Sequence, residues 1–363
     1  MASLHPSRRS SGFSLIEVMV SLLISLLLIL AIASAFLAGR MSYRVMDVSS
    51  RIQETARYAF ENLSYDIRMA GSAGCGHASE ANVLNNSNDW DKDLFNFPLA
   101  GFEEGVSAYP AALAGNVLRG DALTVLRADN LREYIIASHN APAAQLQLTA
   151  NHDIKQGEIL VATNCSHAAV FQMTNVNNNN TIDTVVHNTG AATTPGNCTK
   201  GLGAPADCSD PLGTSYAFAP GSRLLRLNSI AYYLRQSASG EPALYRQRLT
   251  HSGGNAASVA EELAEGVENM QILYGVDTSA PADGAVDAYV TADQVTSVAP
   301  GGSDSEKWKR VLSVRVSLLM VSPGNENITT KPQRYTFNGV TTTPNDRRLR
   351  KVLDYTIALR NRL

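Results

Sequence analysis

Residues 8–23 read RRSSGFSLIEVMVSLL: two arginines, a short run of small residues, and then an apolar stretch interrupted by a single carboxylate, Glu17. From Phe13 to Leu37 the chain is almost wholly apolar, longer than the roughly 20 residues a helix needs to cross the hydrocarbon. A cleaved secretory signal has an apolar region of only about 7–15 residues, so this run is predicted to be a membrane segment. Arg8 and Arg9 precede it and Arg40 and Arg44 follow it, which nearly balances the flanking charge. The dominance of the first flank, with four cysteines all beyond the span, places the N-terminus in the cytoplasm. An acidic group at the centre of a span costs about 2.5–3.5 kcal/mol, and less toward the interface, where Glu17 lies. Snorkelling to the interface is one outlet for that charge. The other is an ion pair with a cationic amine, which low dielectric makes strong enough to set register.

The helical pattern continues past the span. Val45, Val48, Ile52, Ala56, Phe60, Leu63 and Ile67 recur three and four residues apart and form one face. Arg44, Asp47, Arg51, Gln53, Glu54, Arg57, Glu61 and Asp66 fall between them and are predicted to form the polar face, so the helix leaves the bilayer amphipathic. No proline occurs between residues 13 and 69, and Gly71 and Gly74 offer the exit. A helix over that range is about 85 Å long.

Beyond Gly76 the chain is rich in Asn, Gly, Ala, Ser and Thr, with short runs of β type. Strands are predicted at Ala122–Leu126, Glu133–Ala137, Gln145–Thr149, Glu158–Ala162, Ala169–Thr174 and Ile182–His187. Others follow at Leu224–Leu234, Ala243–Arg248, Val267–Tyr274, Val311–Val321, Arg334–Phe337 and Leu349–Leu359. In Val311–Val321, Leu312, Val314, Val316, Leu318 and Met320 alternate with the opposite face, the pattern of a half-buried strand. Pro195–Gly221, Ser252–Ala257, Ser279–Gly284 and Pro300–Ser305 read as loops, NVNNNNTID as a hairpin turn, and residues 188–221 as an excursion between sheet halves. The expected class is α+β: one long N-terminal helix, half transmembrane and half amphipathic, packed on an antiparallel, sheet-rich periplasmic domain. The divisions are residues 1–12, a leader; 13–39, the span; 40–70, the amphipathic continuation; and 71–363, the soluble domain.

The 30 Lys+Arg and 33 Asp+Glu give a formal charge of −3, which argues against a nucleic-acid partner. Cys75, Cys165, Cys198 and Cys208 allow three pairings. Cys198–Cys208 would close a short Gly/Pro/Asp loop and Cys75–Cys165 would tie the helix end to the sheet; these two are expected. A metal site from Cys165, His167, His187 and Cys198 lacks paired CxxC spacing. Asp277, Asp283 and Asp287 lack calcium-loop spacing and its closing Glu, so DTSAPADGAVD reads as a polar loop. Seven scattered histidines and the absence of HExxH, GxSxG, Walker A and GxGxxG contexts leave no catalytic constellation, and no cofactor or metal is expected. The basic cluster Asp346–Lys351 reads as a solvated strand entry, with an acidic partner surface as the alternative.

The segment Ser11-Gly12-Phe13-Ser14-Leu15-Ile16-Glu17 resembles the type IV prepilin motif. LAEGVENMQILYGVD at Leu263–Asp277, the Trp308–Leu319 strand, the closing RRLRKVLDYTIALRNRL, and the surroundings of Cys75 and Cys165 look like PilW-type minor pilins. The resemblance implies cleavage between Gly12 and Phe13 by a prepilin peptidase, N-methylation of Phe13, and pairing of Glu17 with the N-terminal amine of a neighbouring subunit. It further implies a protein of the Gram-negative inner membrane and then of the pilus, its large domain favouring the tip or a priming complex. Its partners there would be other minor pilins, the major pilin and an adhesin-like tip protein, in support of twitching motility, attachment or DNA uptake. Two alternatives share the anchor: a minor pseudopilin of the J type from type II secretion, and a membrane-anchored periplasmic enzyme or receptor.

Overall fold

The computed structural model describes residues 12, 14–76, 79–149, 152–176, 183–190, 193–324 and 328–360. Helix α1 runs unbroken from Leu15 to Arg68, 54 residues, or about 80 Å at 1.5 Å per residue. Its first half is exposed throughout, and an 18-residue window there is apolar enough to cross a membrane. Its second half is buried along the stripe Ile52, Ala56, Ala59, Phe60, Leu63 and Ile67, with Val45 and Val48 packed at its edge. The helix stops where Gly71 takes a φ of +76°, a conformation open to glycine, and Gly71 N–H is donated to Leu126 O at 2.9 Å.

The strands, in chain order, are β1 (Ser79–Asn82), β2 (Leu99–Phe102), β3 (Ala122–Ala128), β4 (Tyr134–Asn140), β5 (Gln145–Leu148), β6 (Ile159–Thr163), β7 (His167–Gln172), β8 (Asn175–Val176) and β9 (Thr184–Val186). They continue as β10 (Arg223–Gln236), β11 (Pro242–Ser252), β12 (Asn255–Glu265), β13 (Val267–Val276), β14 (Ala288–Val290), β15 (Val311–Val321), β16 (Tyr335–Phe337), β17 (Val340–Thr342) and β18 (Arg350–Ala358). The 14-residue β10 is the spine of the large sheet. Its first residues pair with β6 and β4, and from Leu227 onward it pairs with β3 and then β11. A second, antiparallel sheet runs β14-β13-β15-β18. The apolar stripe of α1 shares one core with this sheet and with the nearby part of β3 and β10, including Ile272, Val314, Val316, Leu318, Leu123 and Tyr232.

β15 keeps the expected bounds, but it is half-buried only in its middle. Arg315 and Ser317 are partly exposed, while Val311, Ser313 and Leu319 on the same face are buried; Tyr289 of β14 reaches over that face to Ser313 Oγ at 3.1 Å. The loop reading of Ser252–Ala257 is corrected. Only Gly253 and Gly254, with φ of +55° and +81°, form the turn, and Asn255–Ala257 already belong to β12. Residues 304 and 305 likewise begin a short helix, Asp304–Trp308. The 188–221 segment folds back on β7: Asn197 accepts Gln172 N–H at 2.7 Å and returns its amide to Gln172 O at 2.8 Å, standing in for a neighbouring strand. Most of the Asn-rich turn lies outside the described residues; its flanks, β8 and β9, are paired antiparallel.

Close packing makes Gly101 sensitive. A Cβ there would overlap the hydroxyl of buried Tyr274, and Gly101→Ala is expected to cost about 1–3 kcal/mol in denaturant titration, as overpacking does. A melt unchanged from wild type would contradict that fit.

Two buried groups titrate in opposite senses. His139 Nε2 and His187 Nε2 are 3.1 Å apart, and Phe218 N–H is donated to His139 Nδ1, so the pair is held neutral with the shared proton on His139. Burial pushes His139 down to about 4, and burial with His139 alongside pushes His187 down to about 3. Their contribution is therefore complete above the unfolded value of 6.5 and is lost as pH falls toward 4. Asp121 accepts N–H groups from Glu104, Ile272 and Gln271, yet burial raises it to about 7. Its contribution is complete below the unfolded value of 3.8 and is lost as pH rises through about 7. Because the two oppose each other, the histidine effect is read as a difference. His187→Phe should reduce the destabilisation between pH 6.5 and 4 by on the order of 2–3 kcal/mol relative to wild type. Parallel pH curves for the two chains would exclude it.

Candidate assembly site

The site begins at the N-terminus of α1. Ser14 is extended and caps the helix, and its backbone N–H is donated to Glu17 Oε2 at 3.0 Å, one half of a capping box. The carboxylate thus sits where the helix leaves unsatisfied N–H groups and positive dipole, on an exposed turn. Gly12 precedes it; Phe13 lies outside the described residues. Among the described residues the helix from Leu15 to Leu37 is exposed throughout, so its apolar side chains are available to lipid or to another helix.

The second half is pinned to the head by a polar cluster. Asp66, expected on the polar face, is 1% exposed. Arg127 of β3 donates to its Oδ1 from Nε at 3.0 Å and from Nη2 at 2.9 Å, and Tyr232 of β10 donates to Oδ2 at 2.6 Å. Arg127 also lies over the Tyr65 ring, 4.9 Å from its centroid. Arg246 of β11 reaches Asn62 Oδ1 at 3.1 Å and stands 4.0 Å from Asp66. Burial, with Asp66 beside it, pushes the Tyr232 hydroxyl well above its usual value and keeps it a donor. One carboxylate therefore fixes the rotation of α1 against three strands. The signals in the sequence were faint: Asp66 directly precedes Ile67, and Arg127 is the one charge in the buried strand ALTVLRA.

Past the helix, Cys75 is bonded to Cys165, and in the 188–221 segment Cys198 is bonded to Cys208. Cys165, at φ +67°, sits in the β6–β7 turn, where Asn164 Oδ1 accepts the N–H groups of Ser166 and His167 and Thr163 Oγ1 accepts that of Cys165. His167 is occupied by Leu202 O at 2.6 Å and Ser79 Oγ at 3.1 Å. Asp277 accepts N–H groups from Ser279, Asp283 and Gly284, and Asp287 accepts from Thr278, so both carboxylates tie their own loop. Among the described residues no cluster of three His, Cys, Asp or Glu is arranged to hold a metal.

The solvated reading of Asp346–Lys351 is corrected as well. Arg350 is 6% exposed and is held by Glu268 at 2.6 Å and Asp346 at 2.6 Å, while Arg348 is paired with Glu241 at 2.6 Å and Lys351 donates to Ser49 of α1. β18 lies beside α1 at the sheet edge, which brings acceptors from β13, the β10–β11 turn and α1 within reach of these cations. Of the cluster's three arginines, Arg347 alone is exposed.

Residues 7–33 match the family described as the prokaryotic N-terminal methylation motif, and residues 231–361 match Type IV Pilus-assembly protein W. No curated protein and no solved structure matches the chain. The first match covers the exposed start of α1, and the second covers the latter part of β10, the β11–β12 hairpin and the whole sheet on which α1 is seated. A methylation motif on an apolar helix long enough to cross a membrane, continuing onto an antiparallel sheet, makes the chain similar to membrane-anchored, type IV pilin-like proteins. Over residues 231–361 the chain is similar to the PilW type, and the two matches together support a minor-pilin-like part in a type IV pilus.

Proposed function

We propose that the protein is a minor pilin that is cut between Gly12 and Phe13, methylated at Phe13, and inserted at the start or tip of the growing pilus. The observation that carries this reading is that α1 is one continuous rod with its first half wholly unpartnered and its second half buried in the head. A lipid anchor alone would not need a rigid connection to the head, whereas a filament subunit positions its head through that rod. In the membrane the N-terminus is cytoplasmic and residues 71–363 are periplasmic. The head is large for a repeating shaft, which favours a priming or tip position beside other minor pilins, the major pilin and an adhesin-like protein. The match over residues 231–361 favours the pilus over type II secretion. The protein acts by assembly, without turnover of a substrate.

Glu17→Gln keeps the hydrogen-bonding shape and removes the charge. Processing at Gly12 should remain intact by mass spectrometry, while the amount of protein in sheared pili and the number of pili fall at least several-fold. Wild-type piliation and incorporation in this variant would defeat the reading.

A further inference from the structure

The seat of α1 is incomplete on one side. Among the described residues β18 ends its sheet, paired with β15 alone and in unbroken register from Ser313↔Ala358 to Val321↔Arg350. Leu359 N–H, directly beyond, is donated to Leu312 O at 2.9 Å. Alternate residues of an antiparallel strand turn their backbone groups to the same side. Leu353, Tyr355 and Ile357 therefore bond inward, and Val352, Asp354, Thr356 and Ala358 turn N–H and C=O outward. Arg360, next in that outward series, donates its N–H to Arg68 O of α1 at 3.3 Å. Among the described residues, none of the four outward N–H groups before it finds a backbone acceptor.

Alongside this edge and α1 runs a groove of about 740 Å³. Ala56 and Phe60 of α1 and Leu353 and Tyr355 of β18 give it an apolar lining. The Phe60 and Tyr355 rings stack at 5.4 Å, and Tyr355 is 41% exposed, large for an aromatic that the fold itself could have covered. Arg57, Arg68 and Arg360 border the groove against two carboxylates, Glu61 and Asp354, the latter accepting from Ser317 Oγ. Arg57 meets Glu61 only at 3.9 Å across solvent, and Arg68 and Arg360 have no carboxylate partner among the described residues.

We propose that this groove receives an extended segment of another pilus subunit, added as a fifth strand on β18 with apolar side chains over Phe60 and Tyr355 and a carboxylate toward Arg68 and Arg360. The proposal rests on the pilin reading above. Unsatisfied strand-edge groups supply affinity, alternate side chains supply selectivity, and the Arg68 and Arg360 guanidiniums, which meet no carboxylate among the described residues, choose an acidic end. A second copy of this chain is the poorer occupant. Two β18 strands paired antiparallel would bring Arg347 and Lys351 of each toward Arg360 of the other, and like charges opposite one another destabilise a strand pair.

The test uses the full chain in cells that assemble pili, with a photo-crosslinking residue at exposed Gln53, which lines the groove, or at Leu22 in the membrane half. The Gln53 probe should join a segment of a different pilus subunit, identified by mass spectrometry. Thr356→Pro removes one outward N–H at an edge that tolerates proline, and it should reduce the adduct at least tenfold. Arg360→Glu, at an exposed side chain, should do the same without touching the core. An adduct indifferent to both variants, one made only with a second copy, or none from Gln53 while Leu22 captures a subunit would overturn the inference. Silence at both probes would overturn the pilin reading together with it.

Discussion

Arg127→Met is expected to cost about 3–5 kcal/mol, because it leaves the Asp66 carboxylate buried with its cationic partner gone. Arg127 is 5% exposed and Asp66 1%, so water cannot replace the lost donors without opening the junction between α1 and β3. The Tyr232 hydroxyl would remain as the principal donor to Asp66. The cost is mostly that of stranding a charge, and the double variant Asp66→Leu/Arg127→Met should recover much of it. A double-mutant cycle in denaturant titrations of the full chain in micelles reads the coupling. The exposed pair Arg57–Glu61, 3.9 Å apart, is the internal comparison and is worth under about 1 kcal/mol. A loss that small at Arg127 would mean that the cluster does not anchor the helix.

Removing the Cys75–Cys165 bond should cost about 4–5 kcal/mol, and removing Cys198–Cys208 about 3 kcal/mol. The sequence separations are 90 and 10, and the chain-entropy account scales with the logarithm of the loop closed. The turn that holds Cys165 is organised by Thr163 and Asn164 independently of the bond, so a Cys75→Ala/Cys165→Ala chain should keep the native fold and reveal chiefly the greater freedom of its unfolded state. Urea midpoints of the two double-alanine chains give the order. If losing the short loop is the more damaging, unfolded-state entropy is not what the long one supplies.

Much of the architecture is legible wherever a single period governs a long run. The 3.6-residue stripe from Val45 to Ile67 and the alternation in Val311–Val321 both meet the partner that their pattern requires. β12 is not legible: NAASVAEELAE has a helix-forming composition, and the Gly253-Gly254 turn, ten paired positions with β11 and the seating of Leu263 and Ala264 on the core hold it extended. The division of β10 between two sets of neighbours depends on strands about 60–100 residues upstream, beyond any local pattern. The same reasoning divides the site. Gly12, Phe13 and Glu17 stand together in the chain as one motif, whereas Asp66, Arg127 and Tyr232 meet only in space. The groove beside β18 likewise joins residues some 300 positions apart.

The Cys75–Cys165 bond has a mechanical meaning. In the pilus proposed for this chain, a pull on α1 would enter the head at the helix exit, seven residues before Cys75. There the force divides, and the covalent link carries it directly into the β6–β7 turn. The intervening chain, with β1 to β6 in it, is shunted out of the path and cannot be drawn out as slack, however hard the subunit is stretched.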